Sequence, residues 1–486
     1  MAPPTPHRAC CAAIALSALL CLASCAVPLA PGYKIEKQSI TAHFVPGAPP
    51  HLAIRAEYRL ANVGNSNLDS IEVGLPGQKS LGRENLRVQI NGRDVTPEMA
   101  RGEGTDEGES SSSESWPAIL RIPFSPTWHR KQKRSLVIAY DLTAVADSRG
   151  RMYVASNMFF LNDSGWFPNP IAPKSLFAKD LVRPSPSDLR IIVPAGFQAL
   201  GGGEPQGVKQ SNAETEYRFR IRKDDFDPYI IAGQYHEQRV TTADGTVVFW
   251  AFKPFDSAQA QSEGAAIAAV VKDYVQTFGP LPRSMKAVYD VAFPEEMGSR
   301  ITHDNHAASF LPGVVNADSE DVFARMELAE TWFSHLIVPR REAWTLGIGL
   351  EYYAALVSNR DNNRVAVQNV RSVISDYDSA RSHVIEKPIL TVTPSDSQAQ
   401  LQLADDKIQL FLLALEEKCG RDNLNHALAH MVSALRFQQY GYDDFRSSLE
   451  QECHQDLGSF FRTWLNEKGI PADFRAKYEA SLEKKN

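Results

Sequence analysis

The chain has 486 residues, with 51 Lys and Arg against 58 Asp and Glu for a formal charge of −7, and it is 43% hydrophobic and 22% charged. That length predicts two domains rather than one, the composition excludes a disordered or fibrous protein, and the acidic balance argues against nucleic acid as a partner. Residues 1–24 stand apart from the fold. Arg8 is followed by an apolar run, Ala9 to Leu22, that is too short to span a bilayer and has the pattern of a secretion signal.

Residues 25–37 read as a tether and residues 38–238 as a β domain. Runs such as LAIRAEYRL, RSLVIAYDL, DLRIIVPAG and YIIAGQYHEQRV alternate apolar and polar positions between Gly, Pro and Asn turns, as antiparallel strands do. Asn91-Gly92 marks a tight hairpin. The insert 101–115 holds no apolar residue and reads as a disordered acidic and serine-rich loop. Helical patterns take over after Pro254, so the boundary is expected between Tyr235 and Asp244, with 239–486 as the second domain. There Ser257 to Phe278 reads as a helix, Ala287 to Phe293 as a strand, and Val322, Met326, Ala329, Phe333 and Leu336 as one helix face. Further helices are expected at Gly349 to Ser358, Asn363 to Asp376, Asp405 to Lys418, Arg421 to Leu435, Tyr442 to Glu452 and Leu457 to Asn466. Cys419 and Cys453 are left to the folded part; they form a disulfide or remain two separate buried thiols, and the sequence leaves both open.

Leu22-Ala23-Ser24-Cys25 resembles a bacterial lipobox, which implies cleavage before Cys25 and a lipid on its thiol. The resemblance also implies an envelope protein, anchored by that lipid at the outer membrane and facing the periplasm.

Several segments in order resemble the zinc aminopeptidases of the membrane alanyl aminopeptidase and leukotriene hydrolase type. They are Asp163 to Pro168 (DSGWFP), Tyr274 to Pro282 (YVQTFGPLP), Met326 to Pro339 (MELAETWFSHLIVP), GLEYYAAL with Lys407, and Phe460 to Leu465 with Gly469-Ile470-Pro471. The resemblance implies an α+β chain: an N-terminal antiparallel β-sandwich-like domain followed by a thermolysin-like, mainly helical domain. The family's zinc needs two His at i and i+4 on one helix face and a Glu further on, with an intervening Glu as general base. Met326 and Glu330 stand at the two His positions, Glu327 at the general base, and Ile348 or Gly349 at the third ligand. Gly298 stands where the family's Glu takes the substrate amine, within Glu295 to Ser299. Asp405 replaces the Tyr that stabilises the oxyanion, and a carboxyl donates there at neutral pH only if its pKa is raised far above the ordinary value.

These departures imply a pseudo-peptidase with no catalytic residue beyond the isolated Glu327 and no cofactor. The groove expected between the domains is lined by Glu296, Met297, Gly298, His303, His306, Glu327, Glu330 and Asp405, and suits an extended peptide or an envelope protein. The alternative is an active zinc-dependent metallo-aminopeptidase with an atypical metal site drawn from His303, His306, Glu327, Glu330 and His335. A third reading is a structural part of an envelope complex with no small ligand.

Overall fold

The computed structural model describes residues 32–77, 81–100, 117–143, 152–161, 166–168, 187–222, 225, 228–293, 314–315, 321–357, 363–393 and 396–479. The expectations placed on Cys25, on the insert 101–115, and on Glu296, Met297, Gly298, His303 and His306 lie outside the described residues.

The first half is built from β1 (Tyr33–Val45), β2 (His51–Asn62), β3 (Leu68–Gly77), β4 (Leu81–Ile90), β5 (Arg93–Asp94), β6 (Glu98–Ala100), β7 (Pro117–Trp128) and β8 (Lys133–Thr143). They are followed by β9 (Met152–Val154), β10 (Met158–Leu161), β11 (Ser187–Pro194), β12 (Gln198–Gly201), β13 (Glu204–Gln210), β14 (Glu214–Ile221) and β15 (Ile230–Gly233). One sheet runs β13-β14-β11-β1-β2-β8-β4-β5, antiparallel apart from the parallel β1 and β11 pair. Along β2 the side chains alternate, so Leu52, Ile54, Ala56, Tyr58 and Leu60 are buried on one face. That face shares a core with Ile71, Val73, Leu120 and Ile122 of the second sheet, β3-β7-β6, which makes the sandwich. Asn91 (φ 51°) and Gly92 (φ 76°) form the turn between β4 and β5, both in the left-handed region such a two-residue hairpin requires.

The sheet β12-β15-β10-β9 lies between the two halves. Phe159, Leu161, Ile230 and Ala232 point into the sandwich core, whereas Met158, Phe160 and Ile231 point into the core of the helical half. Burial on both faces explains why β10 (MFFL) and β15 (IIAG) are apolar throughout. The run YIIAGQYHEQRV therefore does not form one strand: β15 ends at Gly233, and β16 (His236–Thr241) joins a different sheet with β17 (Thr246–Ala251), β18 (Val288–Val291) and β19 (Val314–Val315).

The second half carries α1 (Ser257–Phe278), α2 (Asp321–Glu330), α3 (Trp344–Val357), α4 (Asn363–Arg381), α5 (Gln398–Cys419), α6 (Arg421–Ala434), α7 (Tyr442–Cys453), α8 (Gly458–Leu465) and α9 (Ala472–Glu479). The Asp256 side chain caps α1 by accepting from the Ala258 and Gln259 amides at 2.8 and 3.0 Å, and Gly279 at φ 101° ends it. α5 begins seven residues before the expected Asp405, because Ser397 accepts from the Gln400 amide and caps it there. α3 likewise starts at Trp344, ahead of Gly349. Its glycines are packing positions rather than breaks: a Cβ on Gly347 would meet Pro339 Cγ at 3.0 Å, and one on Gly349 would meet Ile408 Cγ1 of α5 at 2.8 Å. Cys419 and Cys453, at the ends of α5 and α7, are bonded, with Cα atoms 5.4 Å apart.

Candidate functional site

The site is set by α2, α3 and α5. On α2, Met326 and Glu330 are buried and Glu327 is half-buried. The helix does not continue regularly as its sequence predicted: Thr331–Leu336 is a π-helical turn, in which the Ile337 amide donates to the Trp332 carbonyl five residues back at 3.0 Å. The turn is pinned from both sides. Trp332 Nε1 donates to the Gly279 carbonyl at 2.9 Å, Phe333 packs edge-on to Phe278 with centroids 5.0 Å apart, and the Tyr440 hydroxyl donates to the Phe333 carbonyl at 3.0 Å. The aromatic residues of YVQTFGPLP and MELAETWFSHLIVP thus do packing work, as does Trp166 of DSGWFP, whose Nε1 donates to the Pro228 carbonyl at 2.9 Å.

Within the turn, the Ser334 hydroxyl donates to Glu351 Oε1 of α3 at 2.5 Å. Glu351 is 3% exposed. Burial pushes its pKa up to about 8, the negative field of Asp405 adds to the rise, and the Ser334 hydrogen bond opposes it. Asp405, facing it from α5, is also raised to about 8, first by burial and then by Asp406; its Oδ1 is enclosed with no hydrogen-bond partner among the described residues. Asp406 is raised to about 7 by burial and by Asp376, against a 2.8 Å hydrogen bond from Gln402. Burial thus shifts Asp405 and Glu351 alike toward the protonated form. For Asp405 the rise is in the direction that the resemblance requires of a carboxyl standing in for the tyrosine.

Glu351 and Ser334 were not singled out from the sequence. The available signal was a lone carboxylate in the otherwise uncharged stretch WTLGIGLEYYAALV.

Lys407, two residues beyond Asp405, is a structural pin. It is 1% exposed, pairs with Glu386 at 3.4 Å and donates to the Glu467 carbonyl at 2.5 Å. Both Glu386 oxygens accept from the Gly469 amide at 2.8 Å, so this one buried pair ties α5 to the chain after α8.

Of the positions that the resemblance aligns with the zinc ligands, Glu330 offers a buried carboxylate, which can bind zinc. Met326 offers a thioether, which suits softer metals. Gly349 offers nothing, and the space its Cβ would need belongs to Ile408; Ile348 is hydrocarbon. Among the described residues no group of three or more His, Cys, Asp or Glu is placed to hold a metal.

A sheet-rich first half joined through a shared layer to a helical second half is the two-domain fold of the M1 zinc metallopeptidases. The M1 zinc metallopeptidase of Deinococcus radiodurans superposes with a TM-score of 0.62 at 15% identity over 90% of this chain and 95% of that one. A mutant of that enzyme bound to a Tyr-Ser-Ala substrate gives 0.62 at 14% identity, with 91% and 96% covered. A two-domain M1 zinc metallopeptidase mutant bound to L-tryptophan gives 0.61 at 14%, again with 91% and 96% covered. No protein-family profile and no curated protein matches the sequence.

Proposed function

We propose that the chain is a lipid-anchored envelope protein that keeps the two-domain metallopeptidase frame and binds an extended peptide or a partner protein in its groove without zinc chemistry. The observation that supports this reading is the seam between α3 and α5: the resemblance puts Ile348 or Gly349 where a ligand carboxylate would stand, and Ile408 fills the space that a Cβ on Gly349 would need. With Met326 at the first ligand position, Glu327 has no metal-bound water to activate. Acylation of Cys25 would hold the domains at the periplasmic face of the outer membrane. The test is a panel of amino-acid fluorophores with and without added zinc, run beside capture of peptides from a library. Peptide capture without turnover supports the reading; failure to enrich any peptide over an unfolded control contradicts it.

A second reading, an active metallo-aminopeptidase with an atypical metal set, is favoured by one observation. Burial raises the pKa of Asp405 to about 8, which suits the oxyanion donor that the resemblance implies at that position. Chelator-sensitive fluorophore release that disappears in Glu327→Gln would establish that reading in place of the first.

A further inference from the structure

One end of the sandwich gathers cations in a chain of net negative charge. At this end β1 begins, β2 and β7 finish and β8 begins: Lys34 is in register with Ala61, and Ala61 with Lys133. The turn between β7 and β8, His129 to Gln132, and the turn between β2 and β3 are knitted together. The Lys131 amide donates to the Asn62 carbonyl at 3.0 Å, the Asn62 amide to the Gln132 carbonyl at 3.1 Å, and the Arg130 amide to Asn67 Oδ1 at 3.2 Å. Lys131 sits at φ 62°, a conformation that Gly or Asn adopts more readily.

Lys34, Arg59, Arg130, Lys131 and Lys133 are all exposed here. The carboxylates among them are Glu36, which takes Lys133 at 2.8 Å and Arg59 at 3.4 Å, and Asp69, which accepts from Thr127. Lys34, Arg130 and Lys131 make no ion pair with the described residues. Val63, 55% exposed, stands beside them. The chain enters this end at Gly32, whose carbonyl accepts from the Val63 and Gly64 amides at 2.9 and 2.6 Å.

We propose that this basic end of the sandwich docks on anionic lipid headgroups, so that the protein stands on the membrane with its groove in a fixed orientation. The inference rests on the lipid-anchor reading of Cys25. Gly32 is seven positions beyond Cys25, and an extended chain spans at most roughly 25 Å over that length. The acylated residue therefore keeps these turns next to the bilayer, while the far ends of β1 and β2 point away from it. Charge complementarity selects the partner: surface attraction falls off within a Debye length of about 8 Å, a distance that such a tether lets the turns close.

The test uses the mature chain from residue 25 carrying Cys25→Ser, so that no acyl group contributes, with vesicles of phosphatidylcholine alone or mixed with phosphatidylglycerol. Each cation at an anionic surface is worth about a fivefold gain in partitioning. The triple variant Lys34→Gln, Arg130→Gln, Lys131→Gln should therefore lose about a hundredfold in binding to the anionic vesicles and keep the parent melting temperature. Lys209→Gln, Arg218→Gln, Arg222→Gln on β13 and the β14 end should lose little. Equal binding to both vesicle types, or equal loss in the two triple variants, overturns the proposal. Mass measurement of the N-terminal peptide from cell membranes separates the two readings. An unmodified Cys25 with anionic-vesicle binding intact removes the anchor and keeps the docking face, whereas an acylated Cys25 without lipid preference removes the docking face alone.

Discussion

Substituting Ala for Gly349 probes the packing that sets the site. In an ordinary helix interior Gly→Ala stabilises by about 1 kcal/mol. Here the new methyl would lie 2.8 Å from Ile408 Cγ1, 2.9 Å from Cγ2 and 3.2 Å from Leu412 Cδ1. Ile408 is β-branched and held in a helix, so its branch atoms cannot rotate away; either the helices separate or a rotamer strains, at a cost of about 1–3 kcal/mol. The two contributions oppose, and the expected net is a loss of about 1 kcal/mol, read as a fall in the urea midpoint at unchanged m-value. Ile408→Ala alone should cost about 2–5 kcal/mol through its cavity. In the double variant the methyl of residue 349 fills part of that cavity, so the two changes together should cost less than their sum by about 1 kcal/mol. A stabilised Gly349→Ala variant, additive with Ile408→Ala, would refute a close seam between α3 and α5.

Three further outcomes follow from the same helices. Glu351 and Asp405 have folded pKa values near 8 against ordinary values of 4.5 and 3.8; between about pH 4 and pH 8 the folded chain binds more protons than the unfolded one, so stability falls as pH rises through that window. Asp405→Asn should flatten the fall and Ser334→Ala should steepen it, whereas a stability that climbs over this window in urea titrations contradicts the assignment. Cys419→Ser with Cys453→Ser releases a crosslink across a sequence separation of 34 and should cost about 3–4 kcal/mol in calorimetry; an unchanged melting temperature under reductant argues against it. Lys407→Met leaves Glu386 buried with the Gly469 amide and, as its remaining cation, Arg381 at 3.8 Å, and should cost about 3 kcal/mol, partly recovered by adding Glu386→Gln. A neutral single variant would show that the pin carries no load.

The sequence carried the architecture where periodicity was strong. Ser257 to Phe278 read as a helix closed by Gly279-Pro280, and the helix has those bounds. It misled where a local signal had two physical meanings. The helix expected from Gly349 begins at Trp344, and Gly347 and Gly349 are contact points inside it. MFFL and IIAG alternate between two cores rather than between core and water, so no amphipathic pattern could mark the layer joining the halves. The π-turn at Thr331–Leu336 left no trace in an apolar spacing that fits an α-helix equally well. Of the candidate site, Met326, Glu327 and Glu330 were proposed from the spacing of one helix motif, and Asp405 from its place two residues before Lys407. Glu351 was not, because its importance comes from burial against Ser334 and Asp405, which only the packing of α3 on α5 creates.

The most direct test of the account is the zinc content of the mature chain, purified without chelator, incubated with excess zinc and desalted. The account predicts a content near zero, unchanged by Glu327→Gln; one tightly held zinc per chain, lost on substitution of His303, His306 or Glu327, would contradict it.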